Sequence, residues 1–502
     1  MMLYFGYLIN FSKNVPLDKK QQSGVGSYLY FLIGPALFLF FFWSNPFGLD
    51  PIPCKVLAVA VLMISWWISE ALPMPIVALL PLIIFPLLGI SKFSAVAVSY
   101  SNEVIFLFMG GFMIGLGIEK WNLHTRIALI IIRFTGTGGN KIILGFILST
   151  GLISMWLSNT ATTMMMFPIA LSVIAVVENM NIGSRNAKNF SLCIMLSIAY
   201  ASNYGGIATI IGTPPNVAFV SFISNQYGYD IPFLSWSLIC TPIAILLLFS
   251  LYFLLVNLYP NKIQSSLEMN TLVKDELNKL GPMATPEKRV LAIFLITASL
   301  WITRGFINQL GLVKLDDNMI AVFGALLMFL TPSGKSFHKN ERILLWSDTS
   351  KMAWGILLLF GGGMALASGL EKSGLIALLG NWMAAFANGS SIFILILGIA
   401  ILSIMLSEIM SNVAQVIVLA PVVTGMAASL NMDPLLLGIP MTLAASCASM
   451  LPMGTPPNAI VFSSGHIRLK EMLTAGLIMN VISVVLILLF TYYLLPFLMT
   501  MK

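Results

Sequence analysis

Charge is scarce in this sequence. Of 502 residues only 9% are Asp, Glu, Lys or Arg, where soluble domains carry about a quarter. A water-soluble fold of this length could not cover its surface with so few, which excludes soluble enzymes, nucleic-acid binders and disordered chains. The formal charge of +7 is no nucleic-acid footprint, because the basic residues are scattered between apolar runs and form no soluble face. Cysteine is also thin. Cys54, Cys193, Cys240 and Cys447 lie far apart without CxxC spacing and read as small apolar residues of a membrane core. The three histidines, His124, His338 and His466, sit near Lys or Arg in polar segments and do not suggest a metal site. No Gly-x-x-x-x-Gly-Lys-Ser/Thr loop is present, so an ATP-driven pump would need a partner ATPase. Residues 1–28 hold Lys13, Asp18, Lys19 and Lys20 but no apolar stretch ending in a cleavage site, and read as a cytoplasmic lead.

What is abundant is apolar sequence, 58% of the chain. A bilayer core needs about 20 apolar residues per helix. Apolar runs separated by polar or Gly/Pro punctuation fall near 29–45, 53–70, 75–90, 103–121, 189–226, 234–258, 286–306, 317–332, 354–371, 434–463 and 471–498. These eleven runs predict an all-α membrane protein whose first transmembrane helix lies within 29–49. Two further apolar regions, about 140–178 and 391–430, carry a polar break at the middle: Ser158-Asn159-Thr160 and Ser411-Asn412-Val413. Each is either two spans or a re-entrant hairpin. With the N-terminus inside, all but six of the 26 Lys and Arg residues (Lys55, Lys92, Arg304, Lys314, Lys372 and Lys502) fall on the cytoplasmic side, as the positive-inside rule expects. The one long polar stretch, 259–285 with a few flanking charges, reads as a cytoplasmic linker.

The chain repeats itself at an offset near 250. Gly110-Gly111 with Glu119-Lys120 matches Gly362-Gly363 with Glu371-Lys372; Ser158-Asn159 with Pro168 matches Ser411-Asn412 with Pro421; Gly212-Thr213-Pro214-Pro215-Asn216 matches Gly454-Thr455-Pro456-Pro457-Asn458. Three motifs in one order point to duplication, with halves at 50–258 and 286–498. Five spans and one hairpin per half would invert the second copy, the plan of secondary transporters whose sites lie near the midplane.

The motifs suit an anion and a small cation. Gly-Thr-Pro-Pro cannot continue a helix, so 189–226 and 434–463 should be broken. Each break frees carbonyls for a hard cation and half-helix N-termini that favour anions. Irregular backbone is tolerated inside a bilayer only where protein or a water-filled cavity contacts it. Ser154 and Ser158, like Ser407 and Ser411, are four apart and so share a helix face.

At these residues the sequence resembles the divalent-anion:sodium symporters, which carry dicarboxylates, citrate or sulfate. The likeness covers about 50–500 and rests on Ser158-Asn159-Thr160 with the run to Pro168, on Ser407-Glu408 before Ser411-Asn412, and on the two Gly-Thr-Pro-Pro-Asn segments. It implies eleven helices with two re-entrant hairpins, a homodimer, an elevator motion and sodium as coupling ion. Mapped by position, it implies one sodium site at Ser154, Ser158, Asn159 and Gly212, and another at Ser407, Met410 (by its carbonyl), Asn412 and Gly454. It places substrate carboxylates against Ser158, Asn159, Thr160, Ser411, Asn412, Val413, Thr213, Thr455 and Pro456. The family often has Thr where Val413 stands. No basic residue lies in these sites, so bound sodium would have to offset the charge of a dianion. Glu408, an acid at membrane depth, is expected to hydrogen-bond the hairpin tip from behind or to enter coupling directly. Glu119-Lys120 and Glu371-Lys372 are expected as interfacial ion pairs, and most Trp at membrane interfaces.

The leading expectation is therefore sodium-coupled import of a C4-dicarboxylate at the cell membrane. Alternatives are a sodium-independent dicarboxylate or citrate exchanger, a sulfate or thiosulfate carrier and, from another class, an anion channel or the membrane subunit of an anion pump. A membrane enzyme fits least, since no His/Cys/Asp constellation is present.

Overall fold

The computed structural model describes residues 25–179, 184–263, 267–311, 313–334, 341–387 and 391–496. Among them secondary structure is helical, apart from one isolated bridge between Pro332 and Arg342. That is the bilayer's demand on a long apolar chain: every backbone N–H and C=O must be satisfied within its own segment. Among the described residues eight helical stretches are long and apolar enough to cross a membrane, and six shorter apolar helices accompany them.

The chain opens with α1 (Val25–Ser44), α2 (Pro51–Ser69), the short α3 (Met74–Val77), α4 (Leu80–Leu87) and α5 (Phe93–Val98), then α6 (Glu103–Lys120) and α7 (Leu123–Thr135). The first apolar hairpin is α8 (Gly139–Ser154) and α9 (Asn159–Asn179). A broken helix follows as α10 (Ser184–Gly206) and α11 (Pro214–Tyr227), and α12 (Phe233–Leu258) ends the first half. After α13 (Leu267–Leu280) come α14 (Thr285–Gln309), α15 (Asp317–Leu330), α16 (Trp354–Lys372) and α17 (Leu375–Ala387). The second hairpin is α18 (Ile392–Ser407) and α19 (Asn412–Ser429), the second broken helix α20 (Pro434–Ala445) and α21 (Pro456–Phe462), and α22 (Leu469–Tyr493) closes the fold. The first half-helices end at Gly206 and Ala445, before the Gly-Thr-Pro-Pro motifs, and each motif instead starts the second half-helix, with proline in the first turn of α11 and of α21.

Several expectations change. The run 75–90 is two short helices, α3 and α4, each with proline in its first turn. The stretch read as a linker contains α13, which packs on α7. Helices α7 and α17 add to the expected runs; at 13 residues each they are too short to span a bilayer. His124 is no polar-segment residue: it is buried on α7, its Nδ1 3.3 Å from the Ile118 carbonyl. His338 and residues 1–24 lie outside the described residues. The tryptophans are divided, Trp43 and Trp346 being exposed while Trp67, Trp236 and Trp301 are buried. Lys120 pairs not with a residue of its own motif but with Asp348, at 2.7 Å.

Packing sorts the helices into two groups. One joins α8–α12 with α18–α22 and holds both hairpins and both broken helices. The other joins α1–α6 with α14, α15 and α16. Helix α7 lies against the first hairpin through α8, and α17 against the second through α19. The duplicated Gly-Gly pairs sit on the seam. A Cβ on Gly110 would lie 2.6 Å from the Ala321 carbonyl of α15, and one on Gly362 would strike the Ala78 carbonyl at the end of α3. The next residue in each pair faces the other group: Gly111 would meet Ile211 at 3.3 Å and Gly363 would meet Ile417 at 2.7 Å. Gly110 and Gly362 thus admit a neighbouring backbone, while Gly111 and Gly363 leave room for the side chains of Ile211 and Ile417.

Candidate functional site

Each hairpin turns at its Ser-Asn pair, and each turn rests on a broken helix. In the first, the Ser154 hydroxyl at the end of α8 donates to the Ser202 carbonyl of α10 at 2.7 Å and faces Asn159 Oδ1 at 3.0 Å. The Ser158 hydroxyl accepts from the Ala161 N–H at 3.3 Å, capping α9. In the second, the Ser407 hydroxyl at the end of α18 faces Asn412 Oδ1 at 2.6 Å and the Ala445 carbonyl of α20 at 2.5 Å. Each serine thus sets one proton against two acceptor oxygens.

More oxygens gather at the first turn. A Cβ on Gly212 would collide with the Gly206 carbonyl and lie 3.0 Å from the Ser154 carbonyl, and a Cβ on Gly206 would collide with Asn159 Oδ1. Side-chain and backbone oxygens therefore converge where the helix is unwound, the donor set of a hard cation, with no nitrogen or sulfur ligand needed. At the second turn Met410 is buried, and its N–H closes the last turn on the Leu406 carbonyl at 3.0 Å. Gly454 lies against Glu408, a Cβ there being 3.0 Å from Oε2.

The substrate-facing expectations divide by exposure. Thr213 and Thr455 are buried and cap α11 and α21, Thr455 Oγ1 accepting from the Asn458 N–H at 3.4 Å. Ser158, Thr160, Ser411, Asn412 and Val413 are half-buried and Pro456 is exposed. Val413 packs against the core. The structure brings Asn159 to Thr213, Nδ2 to Oγ1 at 3.5 Å. Elsewhere the two halves interleave: α9 packs on α21 and α19 on α11, so each hairpin's outgoing arm meets the half-helix of the opposite copy.

The asparagines that end the two Gly-Thr-Pro-Pro-Asn motifs hold the unwound segments. Asn216 Nδ2 donates to the Thr209 carbonyl at 2.8 Å and the Ile207 carbonyl at 3.3 Å, and Asn458 Nδ2 to the Leu451 carbonyl at 3.1 Å. Glu408 does not back its own hairpin tip. Its Oε1 accepts from the N–H groups of Ser449 and Met450 and from Asn480 Nδ2, at 2.8, 2.9 and 2.7 Å, and Oε2 accepts from the Leu451 N–H at 2.9 Å. It holds the second unwound segment from within. In the first half Thr209 has that work, donating to the Met155 carbonyl at 2.5 Å and accepting from the Gly212 N–H at 3.0 Å.

Sequence reasoning missed Ser202, Asn203, Gly206, Thr209 and Asn480. A signal existed for two of them: Ser202-Asn203 is another Ser-Asn pair inside an apolar run. It has no copy in the second half, so duplication does not mark it.

Residues 27–501 match the sodium:sulfate symporter transmembrane region. The chain belongs to that family. It is 38% identical to a sodium-dependent dicarboxylate transporter SdcS of Staphylococcus saprophyticus, across 98% of this chain and 95% of that one. A Staphylococcus aureus protein of the same description is also 38% identical, with the same shares. Two solved structures share the fold: Neisseria gonorrhoeae MtrF, described among antimetabolite efflux pumps, with TM-score 0.52, 13% identity and coverage of 79% of this chain and 82% of that one, and the Alcanivorax borkumensis YdaH transporter, with TM-score 0.53, 13% identity and coverage of 81% and 88%. Membership in the symporter family makes this chain a membrane transporter.

Proposed function

We propose that this chain imports a C4-dicarboxylate such as succinate, malate or fumarate by coupling it to sodium. The observation that carries the reading is the pair of oxygen clusters at the hairpin turns, Ser154, Asn159 and Ser202 in one half and Ser407, Asn412 and Ala445 in the other. Neither cluster contains a basic group. A dianion drawn into such a site is very costly in low dielectric; cations held by those oxygens offset its charge. The two sodium ions occupy the sets at Ser154, Ser158, Asn159 and Gly212 and at Ser407, Met410, Asn412 and Gly454. The carboxylates are met by Ser158, Asn159, Thr160, Ser411, Asn412, Thr213, Thr455 and Pro456, with the backbone N–H of Val413. Half-helix N-termini at α11 and α21 add their dipoles.

Transport proceeds by an elevator-like movement of the hairpin group past the other, with α7 and α17 as the connecting arms. The separation of packing groups and the glycine seam support this reading. The two halves act as inverted repeats, the N-terminus is cytoplasmic, the protein lies in the cell membrane, and the family plan makes it a homodimer. Uptake of labelled succinate by proteoliposomes tests the proposal. A sodium gradient should drive accumulation and a choline gradient should not; equal uptake in both overturns sodium coupling. Competition by sulfate at concentrations where succinate saturates would instead assign the site to an inorganic dianion.

A further inference from the structure

We infer that Asn203 is a positioning residue that carries the effect of the first sodium ion to the substrate threonine of the opposite half. This rests on the sodium-coupled reading above. Three links make the path. Asn159 turns Oδ1 toward Ser154 Oγ, at 3.0 Å, where the cation is placed. Its Nδ2 therefore points away and donates to Asn203 Oδ1 at 3.3 Å. With that oxygen accepting, Asn203 Nδ2 is the free donor, and it gives a hydrogen bond to Thr455 Oγ1 at 3.2 Å.

The polarity of the chain matters. Thr455 Oγ1 accepts from Asn203 and from the Asn458 N–H, so its own proton is the one it has left to give. An anion needs such a donor. A cation on Asn159 Oδ1 draws electron density through that amide and sharpens its N–H, and aligned hydrogen bonds strengthen one another. Asn159, Asn203 and Thr455 are 8%, 0% and 2% exposed, so little water screens or replaces these bonds. The same Asn159 amide also reaches Thr213 Oγ1, at 3.5 Å. One side chain at the first sodium site thus addresses the capping threonine of both broken helices.

The second half does not repeat the device. Ala445 accepts from the hairpin serine as Ser202 does, so the residue that follows it, Ser446, stands where Asn203 stands. Its buried hydroxyl has no hydrogen-bond partner among the described residues. The relay is a feature of the first sodium site alone, and it predicts that sodium bound there raises anion affinity through a residue that touches neither ligand.

The test uses the full-length protein in lipid nanodiscs, with succinate as the anion probe and sodium exchanged for choline. Calorimetry gives sodium affinity without succinate, then succinate affinity at saturating sodium. In Asn203→Ala, succinate affinity at saturating sodium should fall about 5- to 10-fold, the worth of one buried hydrogen bond, while sodium affinity without succinate stays within about twofold. Asn203→Ser, which installs the second half's residue and disturbs packing less, should behave alike. Thr455→Val should show a similar loss, and the double variant should lose no more than either single change. Losses that multiply overturn the relay. So does an equal fall in sodium affinity without succinate, which would make Asn203 a support of the sodium site only. If the unsubstituted protein binds succinate equally in sodium and choline, sodium coupling itself falls; if its coupling stands and the Asn203 variants keep it in full, the relay alone falls.

Discussion

Replacing Glu408 should separate the hold on the second unwound segment from the rest of the fold. The carboxylate is 4% exposed and takes four hydrogen bonds, three from consecutive backbone N–H groups at Ser449, Met450 and Leu451 and one from Asn480. Removing it in Glu408→Ala strands four donors at about 1–3 kcal/mol each. Even the low end, about 4 kcal/mol, rivals the total stability of a marginal domain, about 5–15 kcal/mol, so the segment should open locally. Glu408→Gln keeps the volume and one carbonyl oxygen, which can retain the three donors now on Oε1. Its amide then faces the Leu451 N–H, donor against donor, for a loss of about 1–3 kcal/mol. That variant should fold. Its segment carries Gly454 and follows Ala445, so ligand binding must do the ordering that Glu408 now does. Each 1.4 kcal/mol so transferred raises the half-saturating sodium concentration about tenfold. Hydrogen exchange at 449–451, read by mass spectrometry, and the sodium dependence of succinate uptake check both steps. Unchanged exchange at 449–451 in Glu408→Ala, or unchanged sodium dependence in Glu408→Gln, refutes the reasoning.

Asn159→Ala and Asn412→Ala should each abolish sodium-driven succinate uptake while the protein still inserts and elutes as the unsubstituted form; retained uptake in either removes that residue from the site. Arg304→Ala should lower the melting temperature more than Asp230→Ala does. Arg304 Nη1 lies 2.7 Å from the buried Asp317 carboxylate and its Nη2 lies 3.1 Å from the exposed Asp230, and breaking a buried pair costs about 3–5 kcal/mol against about 0–1 for an exposed one. Thermal unfolding of the two variants side by side decides it. At Asp348 burial pushes the carboxyl up, but the Leu345 N–H and Lys120 outweigh it and hold the group below the usual carboxylate range. The stability from the Lys120 pair is therefore complete above about pH 4 and lost as acid carries the pH below that. Asp348→Asn should remove this part of the acid transition; an identical acid profile argues against it.

Much of the site was legible because polar residues are costly inside an apolar run. Ser158-Asn159, Ser411-Asn412 and the two Gly-Thr-Pro-Pro segments interrupt sequence that otherwise reads as lipid-facing, and proline fixes where α11 and α21 begin. The hairpin arms fall within a residue or two of their expected limits, at Gly139–Asn179 and Ile392–Ser429. What sequence could not give is partnership. That Glu408 reaches across to 449–451 depends on tertiary contact at long separation; that Asn216 and Asn458 brace carbonyls 7 to 10 residues before them depends on where each helix comes apart; and α7 and α17 are too short to stand out as spans. Duplication found the motifs that come in pairs and hid the ones that do not. Asn203 is the clearest case: its type, its burial and its Ser-Asn setting match the hairpin asparagines, but the matching position holds Ser446.

That mismatch bears on mechanism. Two halves with identical sites would respond alike to sodium, and neither need act first. Here the halves agree at the proposed cation sites, each with a Ser-Asn oxygen pair on a broken helix. They differ in what supports the unwound segment and in what the hairpin amide reaches. The first segment is held by the Thr209 hydroxyl and its site reaches across to Thr455 through Asn203; the second is held by a four-bonded carboxylate that needs no ligand to be ordered. A site already ordered pays little on binding and gains little coupling, while a site whose binding polarises a relay changes its neighbour's affinity, and by linkage the anion changes sodium affinity there by the same factor. The coupling between sodium and anion should therefore reside mainly in the first half. Thr209→Val should weaken the sodium dependence of succinate affinity more than Glu408→Gln weakens it, although Glu408→Gln disturbs the larger hydrogen-bonded structure. Parallel succinate titrations of the two variants at stepped sodium concentrations measure this, and the reverse order would place the coupling in the second half.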